Sequence, residues 1–256
     1  MKNKFAWIVV GLLALGMLAA GFAAGNEVAA LLEKTDALND ANDYDAAMET
    51  ALEAYQMEPE NPGVLWRTAR AYFNVADQAP DDEQLQIDNM YPGFELAETC
   101  VELAPDIAEG HQYYAILIGR IGEIEGTKQK IENSYAVREH TLIAIELDPE
   151  NDSNYHVMGR WHFALADLSW VERKIASIIY ATPPKASFEE AVEFFQKANE
   201  IAGGDVRHLL WMGKSYIELD KEAEAKKALE ACLAIAPETD AERGMHGEAK
   251  ELLEDL

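Results

Sequence analysis

The sequence predicts an all-α fold, an elongated α-solenoid of stacked antiparallel helix pairs. Three observations predict it. One packing pattern of large and small residues recurs along the chain, punctuated by turn residues at Pro59, Pro105, Pro149, Gly203 and Pro237. No stretch alternates apolar and polar residues between Asn-Gly or Asp-Gly turns, so strand signals are absent. Of the 256 residues 49% are hydrophobic, which suffices for a continuous core and argues against a disordered chain.

The pattern is most complete near the C-terminus. Leu209, Met212, Gly213 and Tyr216 read large-x-x-large-small-x-x-aromatic, and Ala225, Leu229, Cys232 and Pro237 follow at the intervals of a second helix and its closing turn. This is the tetratricopeptide unit of about 34 residues. Small residues at Gly213 and Ala225 let two helices approach, while the large ones fill holes on the neighbouring repeat.

Taken in order, the chain opens on a leader. Lys2 and Lys4 precede an apolar run from Phe5 to Ala24, with small residues at Ala23 and Gly25. This describes a secretory signal peptide, and a run of about 20 apolar residues also suffices for an uncleaved membrane anchor. No cysteine follows the run, which excludes a lipoprotein anchor. The expected division is a leader over 1–25 and a repeat domain over 26–256, placed outside the cytoplasm or tethered to a membrane.

Within the repeat domain, Asp40, Asn42, Asp43 and Asp45 fail the calcium-loop register and read as a turn between two helices. Tyr44, Ala47 and Ala54 supply the second helix of the first repeat. Leu65, Ala69 and Tyr72 open the next repeat after Pro59, and His111, Tyr114 and Ala115 a weaker one after Pro105. Tyr155, Met158 and Gly159 open another after Pro149, and Ala191, Phe195 and Ala198 form a second helix closed by Gly203–Gly204. The turns are spaced by 46, 44, 54 and 34 residues, so only the last repeat is of standard length. Extra helix is expected around 77–91, 119–130 and 164–184. No glycine or proline interrupts 160–181, so the segment from Asn154 to about Tyr180 is expected as one long helix or two nearly collinear ones. Its apolar stripe of Leu168, Val171, Ile175, Ile178 and Ile179 has two readings, a membrane-active or partner-binding face and a face buried against the neighbouring repeat; burial is the expectation, and Trp161 and Trp170 are expected to be buried as well. Pro183–Pro184 then stop the helix. Cys100 and Cys232 both fall at the small, buried position of a second helix in distant repeats, which predicts two free thiols.

The long insertion is distinctive text. Gly159–Arg160–Trp161, Leu168–Ser169–Trp170, Arg173–Lys174–Ile175–Ala176 and Ala181–Thr182–Pro183–Pro184 lead into Phe188–Glu189–Glu190–Ala191, and Leu210–Trp211–Met212–Gly213–Lys214–Ser215–Tyr216 follows. These runs resemble the regulator of microtubule dynamics family. The resemblance implies a helical-repeat adaptor without catalysis, of a kind associated with microtubules, spindle poles, mitochondria and membrane contact sites. It offers a cytoplasmic, microtubule-associated location as the alternative to export.

Charge narrows the partners. Forty-seven acidic against 21 basic side chains give a net charge of −26, which repels nucleic acids over most of the surface. Gly213–Lys214–Ser215 lacks the upstream glycine and strand of a phosphate loop, since His208 stands where that glycine belongs. No metal-binding spacing of histidines or cysteines and no nucleophile motif is present, so neither cofactor, metal nor catalytic residues are expected. What remains is the concave groove lined by the first helices. Its fifth positions are Trp66, Gln112, His156 and Leu210, and its ninth positions Arg70, Ile116, Arg160 and Lys214, with Arg207 and Arg120 nearby. Trp66, Arg70, His156, Arg160, Arg207 and Lys214 are the candidate binding residues. They point to a protein or peptide partner carrying acidic residues or a free carboxylate. The alternative is a membrane-anchored tether or spacer, with an enzyme a distant third; the oligomeric state is not specified.

Overall fold

The computed structural model describes residues 25–79, 81–179 and 182–256. Helix α1 covers residues 25–40. It is followed by α2 (Tyr44–Met57), α3 (Pro62–Asp77), α4 (Glu83–Leu103), α5 (Ala108–Glu125) and α6 (Thr127–Leu147). Then come α7 (Asp152–Ala166), α8 (Trp170–Ile179), α9 (Phe188–Ala202), α10 (Val206–Glu218), α11 (Glu222–Ala234) and α12 (Asp240–Glu254). The described residues contain no strand. The expected leader falls almost wholly outside them. Among them no helix is long and apolar enough to cross a membrane.

The helices pair as α3–α4, α5–α6, α7–α9 and α10–α11, and each pair packs on the next through α4–α5, α6–α7 and α9–α10. The first helices also touch in series, α3 to α5 to α7 to α10 to α12, and make an inner layer. This is the tetratricopeptide-like solenoid, with each expected turn falling between helices.

Turn chemistry sets the pitch. Pro59–Glu60–Asn61 and Pro149–Glu150–Asn151 repeat the same text, and in both the asparagine caps the following helix. Asn61 Oδ1 accepts from Gly63 N at 2.9 Å and Asn151 Oδ1 from Ser153 N at 3.1 Å, satisfying amides that the helix leaves open. Asp205 does the same for α10, accepting from Arg207 N at 2.7 Å. Gly203 ends α9 with a φ of 73°, a left-handed conformation that glycine adopts without strain.

Close helix approach is concentrated at the small positions. A Cβ on Gly159 would lie 2.5 Å from the buried Phe195 ring, and one on Gly213 2.7 Å from Leu229. The cysteines follow the same logic. Cys100 and Cys232 are buried, free thiols, on helices that do not touch. Each donates to the first carbonyl of its partner helix, Cys100 to Pro62 O at 3.4 Å and Cys232 to Val206 O at 3.6 Å. Burial pushes both thiols up to about 11.

The insertion forms two helices rather than one long helix. The helix breaks at residues 167–169, because Ser169 and Glu172 form a reciprocal cap: Glu172 N donates to Ser169 Oγ at 3.2 Å and Ser169 N to Glu172 Oε2 at 2.9 Å. Arg173 then donates to the Leu165 and Leu168 carbonyls and closes the end of α7. Helix α8 packs on α6, with Leu168 and Ala176 buried. Trp161 is buried as expected, donating from Nε1 to Ser134 O at 2.7 Å. Trp170, expected to be buried, is 70% exposed, and Val171 and Ile178 of the stripe are also exposed. The physical reason is that a ten-residue helix on a single neighbour can bury only one narrow face.

Candidate functional site

The inner helices enclose a cavity of about 400 Å³. Its wall draws chiefly on α3, α5, α7 and α10, joined by Tyr44 of α2, residues 130, 134 and 137 of α6 and Met245 of α12. Five cations (Arg70, Arg120, Lys130, Arg160 and Arg207) line it against two carboxylates, Asp77 and Glu123. In a chain of net charge −26 that excess is local and opposite in sign to the rest. Aromatic rings of Tyr44, Phe73, Tyr113, Trp161 and Trp211 complete the wall.

The inner helices are joined by ion pairs, each linking one first helix to the next. Asp36 of α1 holds Arg67 at 2.8 Å and Arg70 at 2.5 Å, both on α3. Asp77 of α3 lies 4.0 Å from Arg120 of α5. Glu123 of α5 reaches Arg160 of α7 at 3.4 Å. Asp152 of α7 reaches Arg207 of α10 at 3.5 Å, and Lys214 of α10 reaches Glu248 of α12 at 2.6 Å.

Compensation is uneven. Arg207 has Asp205 at 2.9 Å besides Asp152; burial opposes its charge, but these carboxylates outweigh burial and raise its pKa. Among the described residues Arg160 forms an ion pair with Glu123 alone, and shares it with Arg120, which lies 3.0 Å from the same carboxylate. Burial accordingly pulls the Arg160 guanidinium below its usual value. Its guanidinium stacks 3.8 Å from the centre of the Trp211 ring, which also carries Lys214 Nζ at 4.0 Å. The Lys130 side chain forms no ion pair or hydrogen bond among the described residues, though its charge is felt by Glu172.

Two histidines meet at the wall. His156 Nδ1 lies 2.9 Å from His208 Nδ1, and His208 Nε2 lies 2.9 Å from Asp152 Oδ2. A carboxylate only accepts, so His208 Nε2 donates to it, and the Nδ1 of a neutral His208 then accepts from His156 Nδ1. Burial, then the charges of Arg207, His208 and Arg160, drive the His156 pKa well below its ordinary value. Asp152, Asp205 and His208 converge closely enough to outline a cation site. The guanidinium of Arg207 already stands against both carboxylates and supplies that positive charge, so the donor set does not fit a metal ion.

Of the six residues singled out from the sequence, Arg70, His156, Arg160 and Arg207 line the cavity. Trp66 and Lys214 are not among its wall residues. Trp66 is buried beneath Arg67 and Arg70, whose guanidinium carbons lie 4.1 and 5.1 Å from its ring centre. Lys214 turns to Glu248. The sixth positions Tyr113, Val157 and Trp211 were missed; they stand beside the fifth positions and face the cavity. Trp211 could have been found from the Leu210–Trp211 pair, because Leu210 is buried and the helix must turn its neighbour elsewhere.

Comparison with known proteins agrees with this architecture. A family profile described as Regulator of microtubule dynamics protein 1-3 matches residues 31–256. Regulator of microtubule dynamics protein 1 of Bos taurus is 32% identical over 228 residues, covering 89% of this chain and 71% of its own length. The Homo sapiens protein of that name is 32% identical, covering 73% of this chain and 60% of its own length. Regulator of microtubule dynamics protein 3 of Rattus norvegicus is 31% identical; the match covers 73% of this chain but only 40% of that protein. Among solved structures, a thermophilic TPR protein of Thermus thermophilus superposes with a TM-score of 0.63 at 16% identity, covering 88% of this chain and 99% of its own. The pilF protein of Pseudomonas aeruginosa superposes at 0.55 with 10% identity, covering 91% and 90%. These two show the fold. By the profile match and by relatives above 30% identity, the chain belongs to the regulator of microtubule dynamics family.

Proposed function

We propose that the chain is an adaptor whose concave cavity takes an acidic or carboxylate-ended segment of a partner protein. The observation that carries this reading is the surplus of cations on the cavity wall, with Arg160 and Arg120 sharing Glu123. An incoming carboxylate would complete the compensation of Arg160 with charge-assisted hydrogen bonds, while Trp211, Tyr113 and Phe73 supply apolar contact. The acidity elsewhere leaves the cavity as the favourable landing place for such a segment. Arg70 and Arg207 then act as walls already neutralised by Asp36, Asp152 and Asp205.

The test is a titration of synthetic peptides that differ in acidic content and in a free or amidated C-terminus. Acidic, free-ended peptides should bind with roughly micromolar affinity, on the order of −8 kcal/mol, and bind more weakly as salt rises. Arg160→Glu should weaken them at least about tenfold while leaving the helical signal unchanged. Equal binding of acidic and neutral peptides, or an unaffected Arg160→Glu variant, would remove the reading and leave a tether or spacer as the better one.

A further inference from the structure

The three most exposed large apolar side chains among the described residues all belong to α8: Ile178 at 75%, Trp170 at 70% and Val171 at 55%. Trp170, Lys174 and Ile178 are spaced by four residues and share one face, with Val171 beside them. The opposite face is committed, because Ala176 is buried and Arg173 caps α7. The outward face is therefore apolar with a lysine at its centre, and Lys174 Nζ lies 4.6 Å from the centre of the Trp170 ring.

We propose that α8 is a shallow membrane-docking helix that lays Trp170, Val171 and Ile178 into the interface of an anionic bilayer. Three features favour a bilayer over a protein as occupant. Between Leu168 and Ser187 stand Arg173, Lys174 and Lys185 against Glu172 alone, a net positive stretch in a chain of net charge −26. A tryptophan at the edge of an apolar face beside a lysine that can extend to the headgroups is the composition of an interfacial helix. The apolar run from Phe5 to Ala24 is also long enough to hold the chain beside a membrane, where a weak second contact is enhanced by proximity. The inference is independent of what the concave cavity binds.

The full chain is tested with an environment-sensitive nitrobenzoxadiazole label on an Ile178→Cys variant. Cys100 and Cys232 are buried, with thiols pushed up to about 11, so the introduced cysteine is labelled selectively in the folded protein. Vesicles of mixed phosphatidylcholine and phosphatidylserine should shift the emission to the blue and brighten it, and nitroxide-bearing lipids should quench it. The same label on Glu230→Cys, exposed on α11, should not respond. A silent label at residue 178 in chains that nevertheless bind vesicles through their N-terminus would overturn the proposal. So would a response that grows with protein concentration in the absence of lipid, which would make this face a contact between copies.

Discussion

The repeat built on α10 and α11 and the enlarged repeat of α7, α8 and α9 solve one packing problem with different amounts of chain. In the first, 34 residues separate the turns and every large residue of the pattern finds a place. In the second, 54 residues separate them, yet the central contact survives: Gly159 meets Phe195 as Gly213 meets Leu229. The surplus leaves the pair as α8, which packs on α6. A solenoid thus keeps the spacing of its paired helices and places insertions where they do not disturb it.

The comparison breaks most sharply at the glycines. Gly159→Val should cost about 3 kcal/mol, because its Cβ would meet three atoms of the rigid Phe195 ring, and Gly213→Val about 2 kcal/mol, because its Cβ would meet two atoms of Leu229, an equally buried but more flexible side chain. Urea unfolding of the two variants measures this. Equal or inverted costs would mean that the enlarged repeat is the looser of the two.

Acid should separate the repeats next. Burial lowers the pKa values of His156 and His162, both on α7. A histidine that resists protonation when folded takes its proton only on unfolding. The stability it contributes is therefore complete above the unfolded value of about 6.5 and is lost as pH falls from there toward the folded value. The decline should reach up to about 1.4 kcal/mol per pH unit for each such histidine. Denaturant midpoints of His156→Gln and His162→Gln between pH 7 and pH 5 should show a flatter decline than the parent. A parent midpoint that does not move over that range would show that neither histidine is sheltered.

The smallest effect belongs to α8. Ser169→Ala removes the reciprocal cap and should destabilise that helix by about 1 kcal/mol. Hydrogen exchange should quicken in 170–179 while the global midpoint stays in place. A matching fall in the global midpoint would mean that α8 is part of the core.

Most of the fold was legible because it rests on periodic positions. The turn residues, the small positions Gly159, Gly213, Cys100 and Cys232, and the concave placement of Arg70 and Arg160 all follow from one repeating pattern. The place of the break before α8 is not fixed by the absence of glycine and proline, and Ser169–x–x–Glu172 carries the start signal. Trp170 was misplaced as a result. The ion-pair network was illegible for another reason. Its partners lie 34 residues apart for Asp36 and Arg70 and for Lys214 and Glu248, but 37 for Glu123 and Arg160 and 56 for Asp152 and His208, so unequal insertions obscure the common spacing.

That network has a mechanical consequence. Ionic contacts link the inner edge of the solenoid from α1 to α12. The inner edge behaves as a row of weak springs, each typically worth up to about 1 kcal/mol and softened by dissolved ions. Added salt should therefore relax the curvature and lengthen the molecule without melting a helix, making the width of the groove a quantity that the surrounding solution sets.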